Sequence, residues 1–176
     1  MFRGLALGLL AVLCVCCSPV AQPDSARTVA AYEIPLPSTR EKTEFLALIS
    51  NVAKKYEFHV DSATSEELRA VSAVSPQTFR AAVWRGANDD ENIASAMDFE
   101  THLGRIWLTF SLGEHPEQSA RFRDEIMPLV KERWPETVSL PIMPSGAIPL
   151  DRDLIRTPSG YVVKPSEAHK YQDSSS

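Results

Sequence analysis

RIWLTFSL, residues 105–112, is the stretch that decides the fold. Ile106, Leu108, Phe110 and Leu112 alternate with Arg105, Trp107, Thr109 and Ser111, the two-residue period of a strand with one buried face. Two runs upstream repeat the pattern: Phe79, Ala81 and Val83 against Arg80, Ala82 and Trp84, and then Ile93, Ser95, Met97 and Phe99. The segments between them, Gly86 to Asn92 and Glu100 to Gly104, carry turn formers and are short enough for antiparallel hairpins. A competing reading opens a helix at Ser75 with Pro76 in its first position. Val83 and Trp84 run straight into Gly86, which favours the strand. Strands near 79–85, 93–99 and 105–112 are therefore the expected sheet centre.

Helical patterns flank this centre. Ser38 followed by Glu41 has the spacing of a capping box. Phe45, Leu48, Ile49, Val52 and Tyr56 then recur at helical spacing, predicting a helix over 38–55. Tyr56, Phe58 and Val60 alternate with Glu57 and His59, predicting a strand near 56–60. Thr64 with Glu67 suggests a short helix through Leu68 and Val71. A second main helix is expected over 116–134, with Phe122, Ile126, Leu129, Val130 and Trp134 on its apolar face. Pro128 should kink it or split off its last turn, and Pro135 should stop it. Val138, Leu140 and Ile142 predict a strand over 137–142. Two Pro-Ser-Gly turns, at Pro144 and Pro158, then sit between short apolar pieces, the signature of successive hairpins or an extended strap. The sum is a single α+β domain over 38–165, mainly antiparallel, with both helices on one sheet face and Pro-rich extended C-terminal hairpins. Residues 166–176 read as a frayed polar tail.

At 44% hydrophobic and 23% charged, the 176-residue chain has an ordinary globular composition, which excludes wholesale disorder, collagen-like structure and a polytopic membrane protein. Its N-terminus is different. One positive residue, Arg3, precedes an apolar run from Leu5 to Val15, too short to span a bilayer but of the length of a secretory signal. Residues 18–37, rich in Pro, Ala, Ser and Thr, read as a flexible tether; Tyr32, Ile34 and Leu36 alternate, but Pro35 and Pro37 make an edge strand there marginal.

All three cysteines, Cys14, Cys16 and Cys17, lie at the end of the apolar run. Residues 1–17 thereby resemble a bacterial lipoprotein signal, in which the run ends on a cysteine that is acylated and becomes the first residue of the mature protein. Cys17 is the best match, with Cys16 before it as the small residue; the leucine that the family pattern places three residues ahead is absent, and Cys14 stands there. The alternative is cleavage after Ala21, which would release the domain into the periplasm or medium. The resemblance implies an exported protein of the outer membrane or periplasm, held to the membrane by a lipid on Cys17. Ser18 beside that cysteine fits outer-membrane sorting.

The formal charge is −5, and removal of the signal takes away only Arg3 among the charged residues. An acidic domain with no basic block has no footprint for nucleic acid, and anionic headgroups are poor partners on the same whole-chain argument. His59, His102, His115 and His169 show no zinc-helix spacing, and Asn88 to Glu91 lacks the ligand alternation and glycine of a calcium loop. No Gly-x-Ser-x-Gly elbow or phosphate-cradling glycine loop is present. No catalytic residue, cofactor or metal is therefore expected. Recognition remains: Trp84 and Trp107 occupy the alternate positions of neighbouring predicted strands and share a face with Arg80 and Arg105, a composition typical of interaction hot spots. The competing reading makes that face a second buried side of the sheet. The expectation is a non-enzymatic, lipid-anchored envelope protein that binds another protein, with an immunity-type protein against a toxin delivered to the periplasm as its concrete version. A small-ligand-binding envelope accessory protein and a hydrolase using His59 or His115 are the alternatives.

Overall fold

The computed structural model describes residues 24–63, 79–86, 89–98 and 104–171. Its elements are β1 (Thr28–Pro35), α1 (Thr39–Lys55), β2 (His59–Ala63), β3 (Arg80–Arg85), β4 (Glu91–Asp98), β5 (Arg105–Ser111), α2 (Pro116–Arg133), β6 (Val138–Ser139), β7 (Leu154–Thr157) and β8 (Gly160–Val163). Strands β1 to β6 form one sheet in the order β2-β3-β4-β5-β1-β6, with every pair antiparallel. β7 and β8 form a separate hairpin. The architecture is α+β, as the alternation predicts. The signal segment, Cys17 and the short helix expected from Thr64 lie outside the described residues.

Both helices pack on one face of the sheet. Phe45, Ile49 and Val52 of α1 and Phe122, Ile126 and Val130 of α2 meet Ile34, Val83, Leu108 and Phe110 in one buried cluster. Each such side chain contributes roughly 1.5–3 kcal/mol when fully buried. Aromatic edges interlock across the layers: Phe122 lies 5.6 Å from Phe58 and 6.2 Å from Phe110, and Trp134 lies 6.0 Å from Phe45, ring centre to ring centre. Leu129, expected on the apolar stripe of α2, is 37% exposed; Met127 takes the buried position instead. Pro128 does not split the helix, which runs unbroken from Pro116 to Arg133. Its exposed side lets water serve the carbonyl that proline leaves without a donor.

Three boundaries differ from the sequence reading, each for a physical reason. Thr28–Pro35, read as tether, is a full strand between β5 and β6 rather than a marginal edge. Its proline stands at the last position, where the ladder is already ending. The strand expected at 56–60 begins instead at His59, because Tyr56 and Glu57 close α1. Glu57 is left-handed (φ 60°), and the amides of Glu57 and Phe58 donate to the carbonyls of Lys54 and Ala53, the Schellman arrangement for a helix end. Part of the segment expected to fray is built into the fold, with Ala168–Tyr171 forming a 3-10 turn. The Tyr171 hydroxyl donates to Asp153 (2.6 Å) and accepts from the Leu150 amide (3.0 Å).

A strap, residues 140–171, crosses the sheet face opposite the helices. Gly160 (φ 135°) allows its closest approach: a Cβ there would lie 2.7 Å from the Ser139 carbonyl oxygen. The first Pro-Ser-Gly unit makes a turn, with Gly146 donating to Met143 (2.8 Å), while the second makes the β7–β8 hairpin.

The helix stop gives a direct test. Only glycine adopts the conformation of Glu57 without cost, so Glu57→Gly should raise stability by about 0.5–1 kcal/mol. A shift of the urea midpoint to higher concentration with an unchanged slope would show it.

Candidate functional site

Register places the side chains of the strap-side face in rows. One row runs Arg80, Met97, Trp107, Glu33 and Val138, from β3 across β4, β5 and β1 to β6. The next holds Ala82, Ser95, Thr109 and Ala31. Trp84 follows on β3, opposite His59 on β2 and Asn92 on β4. The irregularity between Val83 and Trp84 places an extra residue, Ile93, in β4. It sends Ile93 into the helix-side core while Ser95 and Met97 stay on the strap side. Trp84 and Trp107 thus share a face as their alternation predicts. They are not on neighbouring strands, since β4 lies between them.

The two ends of this face differ. At the β5–β1 end, Ala31, Trp107, Leu140 and Leu154 form a second buried cluster with Ile148 and Tyr161 against it. Trp107 is 8% exposed, so this tryptophan is core. Inside the cluster sits Glu33, with no solvent exposure. Its Oε1 pairs with Arg105 Nη1 at 2.5 Å, and its Oε2 accepts from Trp107 Nε1 at 3.3 Å. The Tyr161 hydroxyl lies 3.0 Å from both oxygens. A buried carboxylate requires this number of donors, because desolvation without pairing costs several kcal/mol per ion. Burial, and then the Glu33 carboxylate beside it, push the Tyr161 phenol up to about 12 from its ordinary 10.0. Arg105, a candidate for surface recognition, is therefore committed to an internal ion pair.

The β3 end stands apart from the strap cluster. Trp84 is half-buried and Arg80 is exposed, and among the described residues neither makes an ion pair or a side-chain hydrogen bond. Met97 is half-buried between Arg80 and Trp107 in register. Of the four side chains that the sequence groups together, Trp84 and Arg80 are accessible while Trp107 and Arg105 belong to the strap's footing.

The remaining candidates are placed elsewhere. His59 Nε2 pairs with Asp89 at the exposed end of the β3–β4 connection. His115 stands at the N-terminus of α2 without a capping side-chain bond, beside an open groove of about 700 Å³ lined by Lys55, Glu57, Arg85, Gln118 and Arg121. His59 and His115 do not share that groove. In the acidic run, Asp89 is taken by His59, and Glu91 is buried, receiving the Glu114 amide at 2.5 Å and the Arg85 guanidinium at 2.9 Å. Among the described residues no three His, Cys, Asp or Glu side chains are grouped to hold a metal. Sequence reasoning passed over Glu33 and Tyr161. The alternation of Tyr32, Ile34 and Leu36 held the signal, since it sends Glu33 to the other face of a strand. No protein-family model matches the chain, and no curated protein matches it.

Two outcomes follow for the Glu33 cluster. Glu33→Ala leaves Arg105 without its buried partner and should cost about 3–5 kcal/mol in urea unfolding. Because the folded state holds the Tyr161 proton more tightly than the unfolded chain, its stabilising effect is complete below about pH 10 and is lost as pH rises toward 12. Tyr161→Phe should remove that portion of the alkaline loss, measured as the difference between the stability–pH curves of the two proteins.

Proposed function

We propose that the protein is a lipid-anchored component of the bacterial cell envelope whose α+β domain binds another protein through the β3 end of the strap-side sheet face. The observation that carries this reading is the contrast across one face: the strap cluster ends at Trp107 on β5, and Trp84 and Arg80 on β3 lie beyond it, half-buried and exposed. Tryptophan and arginine dominate binding hot spots because each combines a large apolar area with a directed polar group. The rigid sheet holds Trp84 between cross-strand neighbours, so little freedom is lost when a partner covers it. Acidity, small size and the lipoprotein-type signal suit an immunity-type protein facing a toxin delivered to the periplasm. A small-ligand accessory role has the groove at the start of α2 in its favour, whose volume is within the range of ligand sites.

The two tryptophans separate binding from packing. Trp107→Ala should cost about 3–5 kcal/mol of stability, as for other buried aromatics. Trp84→Ala should cost about 1 kcal/mol or less and sharply reduce recovery of a stoichiometric partner from envelope extracts. Unfolding of the Trp84→Ala protein, or undiminished recovery of the partner, would exclude this face as the binding surface. For the anchor, metabolic labelling with a radioactive fatty acid should mark the wild-type chain and not Cys17→Ala. A labelled, membrane-bound Cys17→Ala protein would remove Cys17 from that role.

A further inference from the structure

Five large apolar side chains are notably exposed among the described residues, and three belong to the strap: Leu150 at 52%, Ile155 at 43% and Val162 at 47%. Ile155 and Val162 are directly opposed across the β7–β8 hairpin. Their neighbours Leu154, Tyr161 and Val163 pack toward the sheet, so strand alternation turns Ile155 and Val162 away from the body of the protein. A hairpin that packs one face and presents an apolar pair on the other is built to be covered.

The charges beside this face run against the acidity of the whole chain. Arg152 and Lys164 flank it, and Arg152 is exposed and makes no ion pair among the described residues; Arg156, opposite Tyr161 in register, belongs to the strand face that packs toward the sheet. The Lys164 ammonium donates to the carbonyl of Arg152. Of the nearby acids, Asp153 is buried under Tyr171 and Lys170, and Glu167 pairs with Lys170. Asp151 is half-buried. The net value of −5 thus hides a local basic rim.

The chain's entry point lies near the strap. Ser25 and Arg27 accept from the amides of Gly113 and Leu112. The strap's first turn packs there: a Cβ on Gly146 would lie 2.6 Å from Arg27 Cγ and 3.1 Å from the Thr28 nitrogen. Leu150 follows four residues later. Between Cys17 and Asp24 the backbone can span no more than about 25 Å.

We propose that the outer face of the β7–β8 hairpin, Ile155 and Val162, together with the exposed Leu150 and flanked by Arg152 and Lys164, docks on a bilayer containing anionic phospholipid. The proposal rests on the reading of Cys17 as a lipid anchor for the identity of that bilayer, since the short tether keeps the strap's end close to it. Apolar side chains enter the headgroup boundary while each basic one contributes about fivefold in affinity at low salt.

The test uses the mature, acylated chain in vesicles of mixed phosphatidylglycerol and phosphatidylcholine, with phosphatidylcholine alone as the comparison. Amide hydrogen exchange over 154–163 should slow at least about fivefold on the anionic vesicles, and the protection should vanish in high salt. Ile155→Ser with Val162→Ser, and separately Arg152→Glu with Lys164→Glu, should each abolish it, with α1 and α2 remaining protected. Unanchored Cys17→Ala protein should still sediment weakly with the anionic vesicles. Equal exchange on both vesicle types, or protection that survives charge reversal, would overturn the docking surface, as would protection that needs an added protein. Absence of fatty acid on the wild-type chain would remove the anchor and leave the sedimentation result to decide docking by itself.

Discussion

A carboxylate with no access to water is the constraint on which this structure turns. Glu33 sits in the middle of a sheet face, where an unpaired negative charge would be expelled or neutralised. It is retained because three segments converge on it: its own strand, β5 through Arg105 and Trp107, and the strap through Tyr161. The apolar contacts of the strap, Leu140, Ile148 and Leu154, could slide over one another at small cost. The hydrogen bonds of Glu33 to three donors fix one registration of strap over sheet, as a well-partnered buried polar group does. Arg105 is held by that bond and by a longer approach to Glu136 at 3.9 Å.

The strap's position divides the molecule's labour. The helix side is closed by aromatic and aliphatic packing and gives the domain most of its stability. Among the described residues the strap side is closed over β5, β1 and β6, and one row of side chains passes from buried carboxylate to exposed arginine across four strands.

Much of the layout was legible because it is local. The alternation of 105–112, the Ser38–Glu41 capping box and the stripes of Phe45 and Phe122 depend only on nearby residues, and each appears where its pattern puts it. β1 was not legible, because a strand of mixed composition becomes central only when β5 and β6 arrive on either side. The hairpin signal at Pro158 was readable, but nothing in it says which face the hairpin will cover. That is why alternation could put Trp84 and Trp107 on one side of the sheet and yet not tell the buried one from the accessible one. The extra residue at Ile93 inverts the apparent pattern of its strand in the same way: Ala94 and Ala96, not Ser95 and Met97, face the helices.

The Glu33 contacts also set an order of assembly. Its link to Arg105 closes a separation of 72 residues and its link to Tyr161 one of 128. By loop entropy the longer closure costs only about 0.5 kcal/mol more, so sequence order rather than entropy separates the two events as a chain is made from its N-terminus. β1 waits for β5, and the carboxylate waits for the last fifth of the chain. A chain made only as far as Thr157 already has the strap's apolar footing over Trp107, Leu140, Ile148 and Leu154, and lacks only the Tyr161 hydroxyl that locks it to Glu33.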